Sequence, residues 1–175
     1  MRFGIPSLAL GAAVLASIPQ ASIAADSSAC AVTAAPNPAF AAPPKWEMKG
    51  PFQENYFLFG TTGLWAWVHN HWKLGMDGRK LPYFSAYYDW WGGEHHPEMV
   101  VVARRLDEPA SLVWAEEVNG AGPSFRFGEA PDPAKPGFMV TRLEIPTAGC
   151  WEISARYRPV GREPQVLTYT VLVEP

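Results

Sequence analysis

All four histidines of the chain fall between Trp67 and Pro97, as His69, His71, His95 and His96. Imidazole is the commonest protein metal ligand, and the donors around it decide which metal it holds. On a strand, His69 and His71 stand two apart, so they project from one face and can reach one ion. Glu94, His95, His96, Glu98 and Met99 add nitrogen, oxygen and thioether donors if the following loop folds back. Imidazole with thioether suits copper, and imidazole with carboxylate suits zinc. The spacing matches none of the strong metal signatures, and adjacent histidines on a loop are commonly solvated. Copper or zinc at His69, His71, His95 and His96 is therefore the alternative reading, and the leading one expects no cofactor.

Catalytic patterns are sparse. The chain has no Gly-x-Ser-x-Gly, no His-Glu-x-x-His and no phosphate-cradling glycine loop. Glu116 and Glu117 are neighbours on an expected strand, so they point to opposite faces and cannot share a substrate. Asp89, set between aromatics, is a catalytic candidate only if burial perturbs its carboxyl; a satisfied structural carboxylate explains it as well. The two cysteines, Cys30 and Cys150, either pair or remain thiols. Pairing is the expectation in an exported chain, and it consumes any thiol nucleophile. No enzyme is expected.

Aromatic side chains are the densest resource. Trp46, Trp65, Trp67, Trp72, Trp90 and Trp91, with Tyr83, Tyr87 and Tyr88, crowd one half of the chain. Leu64, Ala66 and Val68 share one face of a strand, while Trp65, Trp67, His69 and His71 share the other. Both faces are apolar, so either a further segment covers the second or an aromatic platform is exposed. Exposed aromatics on a sheet stack on sugar rings or anchor protein partners. On that reading Trp65, Trp67, Tyr87 and Trp91 form the contact surface, carried by strands Leu64–Trp72 and Tyr83–Trp91.

These residues need a scaffold, and the chain in order suggests one. Met1-Arg2, an apolar run to Ile18 and the small residues of Ser22-Ile23-Ala24 make a secretory signal peptide over residues 1–24. Lipidation at Cys30 is disfavoured because Ser27 stands where a Leu-like residue is needed. No later window offers about 18 consecutive apolar residues, so no membrane span is expected after cleavage. The remaining chain of about 150 residues suits one domain with a real core. The net charge of −3 is unclustered, which argues against nucleic acid as a partner.

Residues 25–51 hold Pro36, Pro38, Pro43, Pro44 and Pro51, a density that excludes helix and central strand. An extended segment anchored by Phe40 and Trp46 is expected, followed by a domain over 52–175. Lys73–Leu81 contains Asp77-Gly78, a hairpin-turn signal. Met99–Leu106 reads as a strand burying Val100, Val102 and Leu106, and Ser111–Val118 as another. A Gly-containing turn is expected at Asn119–Pro123, a short strand at Ser124–Phe127 and a loop at Asp132–Pro136. Met139–Ile145, Trp151–Tyr157 and Leu167–Val173 alternate strictly, predicting three strands of an antiparallel meander. Cys150 precedes the inward Trp151, so a bridge to Cys30 would tie the N-terminal segment across the outer side of those strands. The expected fold is all-β, an immunoglobulin-like two-sheet sandwich of about seven to nine antiparallel strands, with a closed barrel as runner-up.

Cys30-Ala31-Val32-Thr33, Pro36-Asn37-Pro38, Leu64-Trp65, Trp90-Trp91, Arg105-Leu106-Asp107 and the run Pro146–Glu152 (PTAGCWE) together carry a resemblance. The chain resembles a group of small exported bacterial proteins of uncharacterised function. The resemblance implies an exported single domain with its cysteines paired, and it brings no catalytic residues. The expectation is a periplasmic or secreted, non-catalytic module that binds a protein, glycan or envelope component.

Overall fold

The structure, a computed structural model, describes residues 30–46, 55–75, 79–109, 111–122 and 135–175. The expected signal peptide, Asp77-Gly78 turn and Ser124–Phe127 strand, and most of the expected Asp132–Pro136 loop, lie outside the described residues.

Among the described residues, ten strands form two five-stranded sheets. They are β1 (Tyr56–Thr61), β2 (Leu64–His69), β3 (Trp72–Lys73), β4 (Arg79–Phe84) and β5 (Met99–Arg105), then β6 (Leu112–Trp114), β7 (Asn119–Ala121), β8 (Phe138–Leu143), β9 (Gly149–Tyr157) and β10 (Gln165–Glu174). The first sheet has the order β1-β2-β4-β8-β7, and the second β3-β10-β9-β5-β6. Taking β2, β4, β5, β7, β8, β9 and β10 as A to G reproduces the immunoglobulin pairing order, A-B-E-D in one sheet and C-F-G in the other. β1, β3 and β6 are the additions that carry the strand number past the expected range. Among the described residues the one helical piece is a 3-10 turn at Pro44–Trp46, and no helix is long and apolar enough to cross a membrane.

The alternating residues meet between the sheets. Leu64, Ala66 and Val68 of β2, with Tyr83, Met139 and Leu143, face Val101, Ala103, Trp151, Ile153, Tyr157, Tyr169 and Val171 across one core. At its centre the Tyr83 and Tyr169 hydroxyls lie 3.4 Å apart and hydrogen-bond each other. Burial raises both above the ordinary phenol range, Tyr169 to about 12, so the pair stays neutral.

Several expectations are corrected. β9 and β10 form the expected hairpin, but β8 pairs with β4 and β7 in the opposite sheet, so there is no meander. Alternation marks which side chains face inward, and strands in facing sheets alternate as strictly as neighbours do. The Lys73–Leu81 hairpin is also absent: β3 pairs with β10, whereas β4 pairs with β2 and β8. The aromatic strand stops at Phe84, and Tyr87 to Trp91 lie in the irregular, turn-containing connection that follows. In β5 the buried residues are Met99, Val101 and Ala103, while Val100 is exposed and Val102 half-buried, and Leu106 just beyond the strand is exposed. An all-apolar run has no period to read, and pairing with β9 decides its face. Ser111–Val118 contains only the short β6, and Asn119–Ala121 is strand β7 instead of a turn.

Candidate functional site

Residues 30–46 run as a strap around the sandwich. Its start is fixed to β9 by the Cys30–Cys150 disulfide, S–S 2.00 Å. Thr33 then clips onto β10: its amide donates to the Thr170 carbonyl at 2.9 Å, and its hydroxyl accepts from the Thr170 amide at 2.8 Å. Phe40, Ala42 and Trp46 close over the outer face of the first sheet, where they pack with Leu58, Trp65, Trp67, Phe84 and Phe138 in a second hydrophobic cluster. Trp46 meets Trp65 edge-on at 5.6 Å, and Trp65 stacks on Phe84 at 5.9 Å.

That covering places the four expected contact residues. Trp65 is 0% exposed beneath the strap, so it belongs to the second cluster and offers no outer surface. Trp67 is half-buried against Phe84 and Tyr56. Tyr87 and Trp91 are exposed, on the turns after β4. The Arg162 guanidinium lies over the Tyr87 ring, and the Trp91 indole donates to the Lys135 carbonyl.

The histidines do not converge. β2 and β4 are antiparallel with Trp65 opposite Phe84, so His69 sits at the end of the sandwich away from the loop after Phe84. His95 and His96 lie in that loop. His69 Nδ1 accepts from the His71 amide at 2.8 Å, with the two rings 6.5 Å apart beside a groove of about 380 Å³ that Thr33, Trp72 and Glu174 also line. His95 packs its ring on Trp90 at 4.2 Å, and His96 approaches exposed Glu117 at 3.7 Å. Among the described residues no three His, Cys, Asp or Glu side chains group closely enough to hold an ion.

The acids of the same loop are used structurally. Glu94 accepts the Tyr157 hydroxyl through both carboxylate oxygens, at 2.9 and 3.0 Å, and its Oε2 accepts the Asp89 amide at 3.1 Å. Burial and then Glu94 push the Tyr157 hydroxyl well above the phenol range, so it acts as a fixed donor. Asp89 is exposed and accepts the Gly92 amide at 2.8 Å, a local turn contact. Glu98 pairs with Arg158, and Met99 is core.

The Arg105-Leu106-Asp107 and Pro146–Glu152 motifs form one clasp around Cys150. Arg105 donates from Nε to Asp107 Oδ1 at 2.7 Å and from Nη1 to Thr147 Oγ1 at 2.9 Å, and its Nη2 reaches Glu108 at 3.0 Å. Asp107 Oδ2 accepts the Cys150 amide at 3.1 Å, and the Trp151 indole donates to the Thr147 carbonyl at 3.0 Å. Gly149 has φ +139°, and a Cβ there would stand 2.7 Å from Arg105 Nη2 and Asp107 Oδ2. The Arg105 bond, and after it the Cys150 amide, holds the Asp107 carboxyl below its usual range. This chemistry positions a disulfide.

The outer face of the second sheet is different. Trp114, on edge strand β6, is 64% exposed, with Leu112 at 52% on the same strand and Val100 at 48% on neighbouring β5, while Val166, at 62%, lies two strands further on β10. Register sets them in rows: Trp114, Val102, Ser154 and Thr168 lie across the sheet in one row, Leu112, Arg104 and Glu152 in the next. Val100, Arg156 and Val166 form a third. The Arg104–Glu152 ion pair at 2.9 Å and the Ser154–Thr168 hydroxyl pair at 3.2 Å border the apolar positions. Trp114 escapes sequence reasoning because Leu112-Val113-Trp114 offers too few residues for a period. The only available signal is a tryptophan just after the Asp107–Pro109 turn.

Comparison with known proteins returns no matching family model, no matching curated protein and no matching solved structure.

Proposed function

We propose that this chain is a non-catalytic, exported binding module that engages a protein partner through the outer face of its β3-β10-β9-β5-β6 sheet, centred on Trp114. The observation that carries the reading is a tryptophan 64% exposed next to exposed Leu112 and Val100 on the outer face of a sheet. Large apolar side chains grouped on a surface with a polar border have the make-up of an interface hot spot. A protein fits better than a glycan. Leu112, Trp114 and Val100 are apolar ground that aliphatic and aromatic side chains fill, and Arg104 and Glu152 are already engaged with each other at 2.9 Å. The disulfide and the basic-apolar N-terminal leader support a periplasmic or secreted location.

The test is site-specific photocrosslinking in the source organism, with a photoreactive amino acid at Trp114 and, as control, at Val160, a turn residue 86% exposed. A discrete adduct at position 114 and none at 160 is expected. Equal or absent labelling at both sites would refute the assignment. A glycan array binding signal abolished by Trp114→Ala would replace the protein partner with a carbohydrate.

A further inference from the structure

The two sheets end in four edges: β1 and β7 on one, β3 and β6 on the other. Three are blunted by brevity, with three residues in β7, three in β6 and two in β3. β1 has six, Tyr-Phe-Leu-Phe-Gly-Thr, with no charge and no proline. Edges of this kind template pairing with another strand unless charge, proline, a bulge or a covering segment guards them.

The ladder shows which backbone groups β1 presents. The Asn70 amide donates to the Asn55 carbonyl at 2.7 Å, so 55 and 70 form a hydrogen-bonded pair continuing the register of Tyr56 opposite His69. Hydrogen-bonded pairs alternate along antiparallel strands. Phe57, Phe59 and Thr61 therefore direct their N–H and C=O groups toward β2, and Tyr56, Leu58 and Gly60 direct theirs outward. Among the described residues nothing pairs with that outer edge.

We infer that β1 pairs antiparallel with β1 of a second copy of this chain, about a two-fold axis through Leu58, so that the two five-stranded sheets become one continuous sheet. Outward groups must meet outward groups, which places the axis on a residue of the strand and not between two, and only the axis through Leu58 uses Tyr56, Leu58 and Gly60 together. It sets Phe57 opposite the second copy's Phe59, twice, at non-hydrogen-bonded positions where side chains approach closest. Phe57 and Phe59 already stand edge to face at 6.4 Å within one chain and pack on the core side. Tyr56 falls opposite Gly60, where an aromatic covers the glycine, and Leu58 meets Leu58 on the strap side. No like charges oppose each other, and the interface is self-complementary as a two-fold contact requires. Trp114 lies on the other sheet and stays open.

Sedimentation of the full, disulfide-intact chain over a concentration series tests this. A reversible dimer is expected. Leu58→Lys, which sets two like charges together on the axis, should weaken it by about tenfold or more, while Val160→Lys leaves it unchanged. If Leu58→Lys does not fold, Leu58→Cys decides. A hydrogen-bonded pair holds its Cα atoms about 5.5 Å apart, within disulfide reach, so air oxidation should yield a covalent dimer. A monomer throughout the series, a dimer indifferent to Leu58→Lys, no covalent dimer from Leu58→Cys, or a dimer dissolved by Trp114→Ala would overturn the inference.

Discussion

Asp107→Ala is the sharpest probe of how the clasp supports the fold. The Asp107 carboxylate accepts from Arg105 Nε at 2.7 Å and from the Cys150 amide at 3.1 Å. The Arg105 and Asp107 side chains are only 10% and 16% exposed. Charged hydrogen bonds contribute roughly 1.5–3 kcal/mol each, and Arg105 keeps Glu108 and Thr147, so a net loss of about 2–4 kcal/mol is expected. That is a large fraction of the roughly 5–15 kcal/mol that holds an ordinary domain together. The same carboxyl titrates below its usual range when folded, through the Arg105 bond first. Its contribution is thus fully present above the unfolded value of about 3.9 and is lost as pH falls through the depressed folded value. Urea unfolding followed by tryptophan fluorescence, on oxidised protein from about pH 7 to about pH 2, measures both effects. The gap between wild type and Asp107→Ala should be widest near neutrality and shrink below about pH 4. A gap under about 0.5 kcal/mol at neutrality, or one that does not shrink in acid, would refute the clasp as described.

Trp46→Ala should cost about 3–5 kcal/mol in the same unfolding assay, because it empties the strap side of the Trp65 cluster; a loss under about 1 kcal/mol would mean the strap adds little. Cys30→Ser opens a disulfide spanning 120 residues and should cost up to roughly 4–5 kcal/mol, with limited proteolysis cutting the strap before the sandwich. Elemental analysis of protein purified without chelators or a His tag should find no stoichiometric copper or zinc. An ion that is present, and is lost on His69→Ala/His71→Ala, would move the metal reading from alternative to first place.

How legible the molecule was depends on the range of the interaction concerned. The strong alternation of Trp151–Tyr157 and Leu167–Val173 named its own inward residues, and the two strands pair as a hairpin as expected of neighbours. The side of Cys150 was readable for the same reason: it is one step from Trp151, so the strap had to cross the outer side of β9. Trp65 was harder. Its strand is apolar on both faces, and only the docking of Phe40 and Trp46 shows that the second face is closed. The histidine pairs illustrate the limit again. A separation of 24 residues between His71 and His95 says nothing of distance, and the antiparallel run of β2 and β4 puts them at opposite ends.

The sequence by itself determined the all-β character, the proline-rich strap with its aromatic anchors, and the sparseness of catalytic patterns. These rest on side-chain period, backbone restriction at proline and the presence of residue types, all local properties. Tertiary structure alone decided which sheet each strand joined, which face of β5 turned inward, that the Arg105–Asp107 clasp holds Cys150, and that Trp114 stands exposed. Each of those depends on which distant strand lies alongside, and a strand's own residues do not name its neighbour.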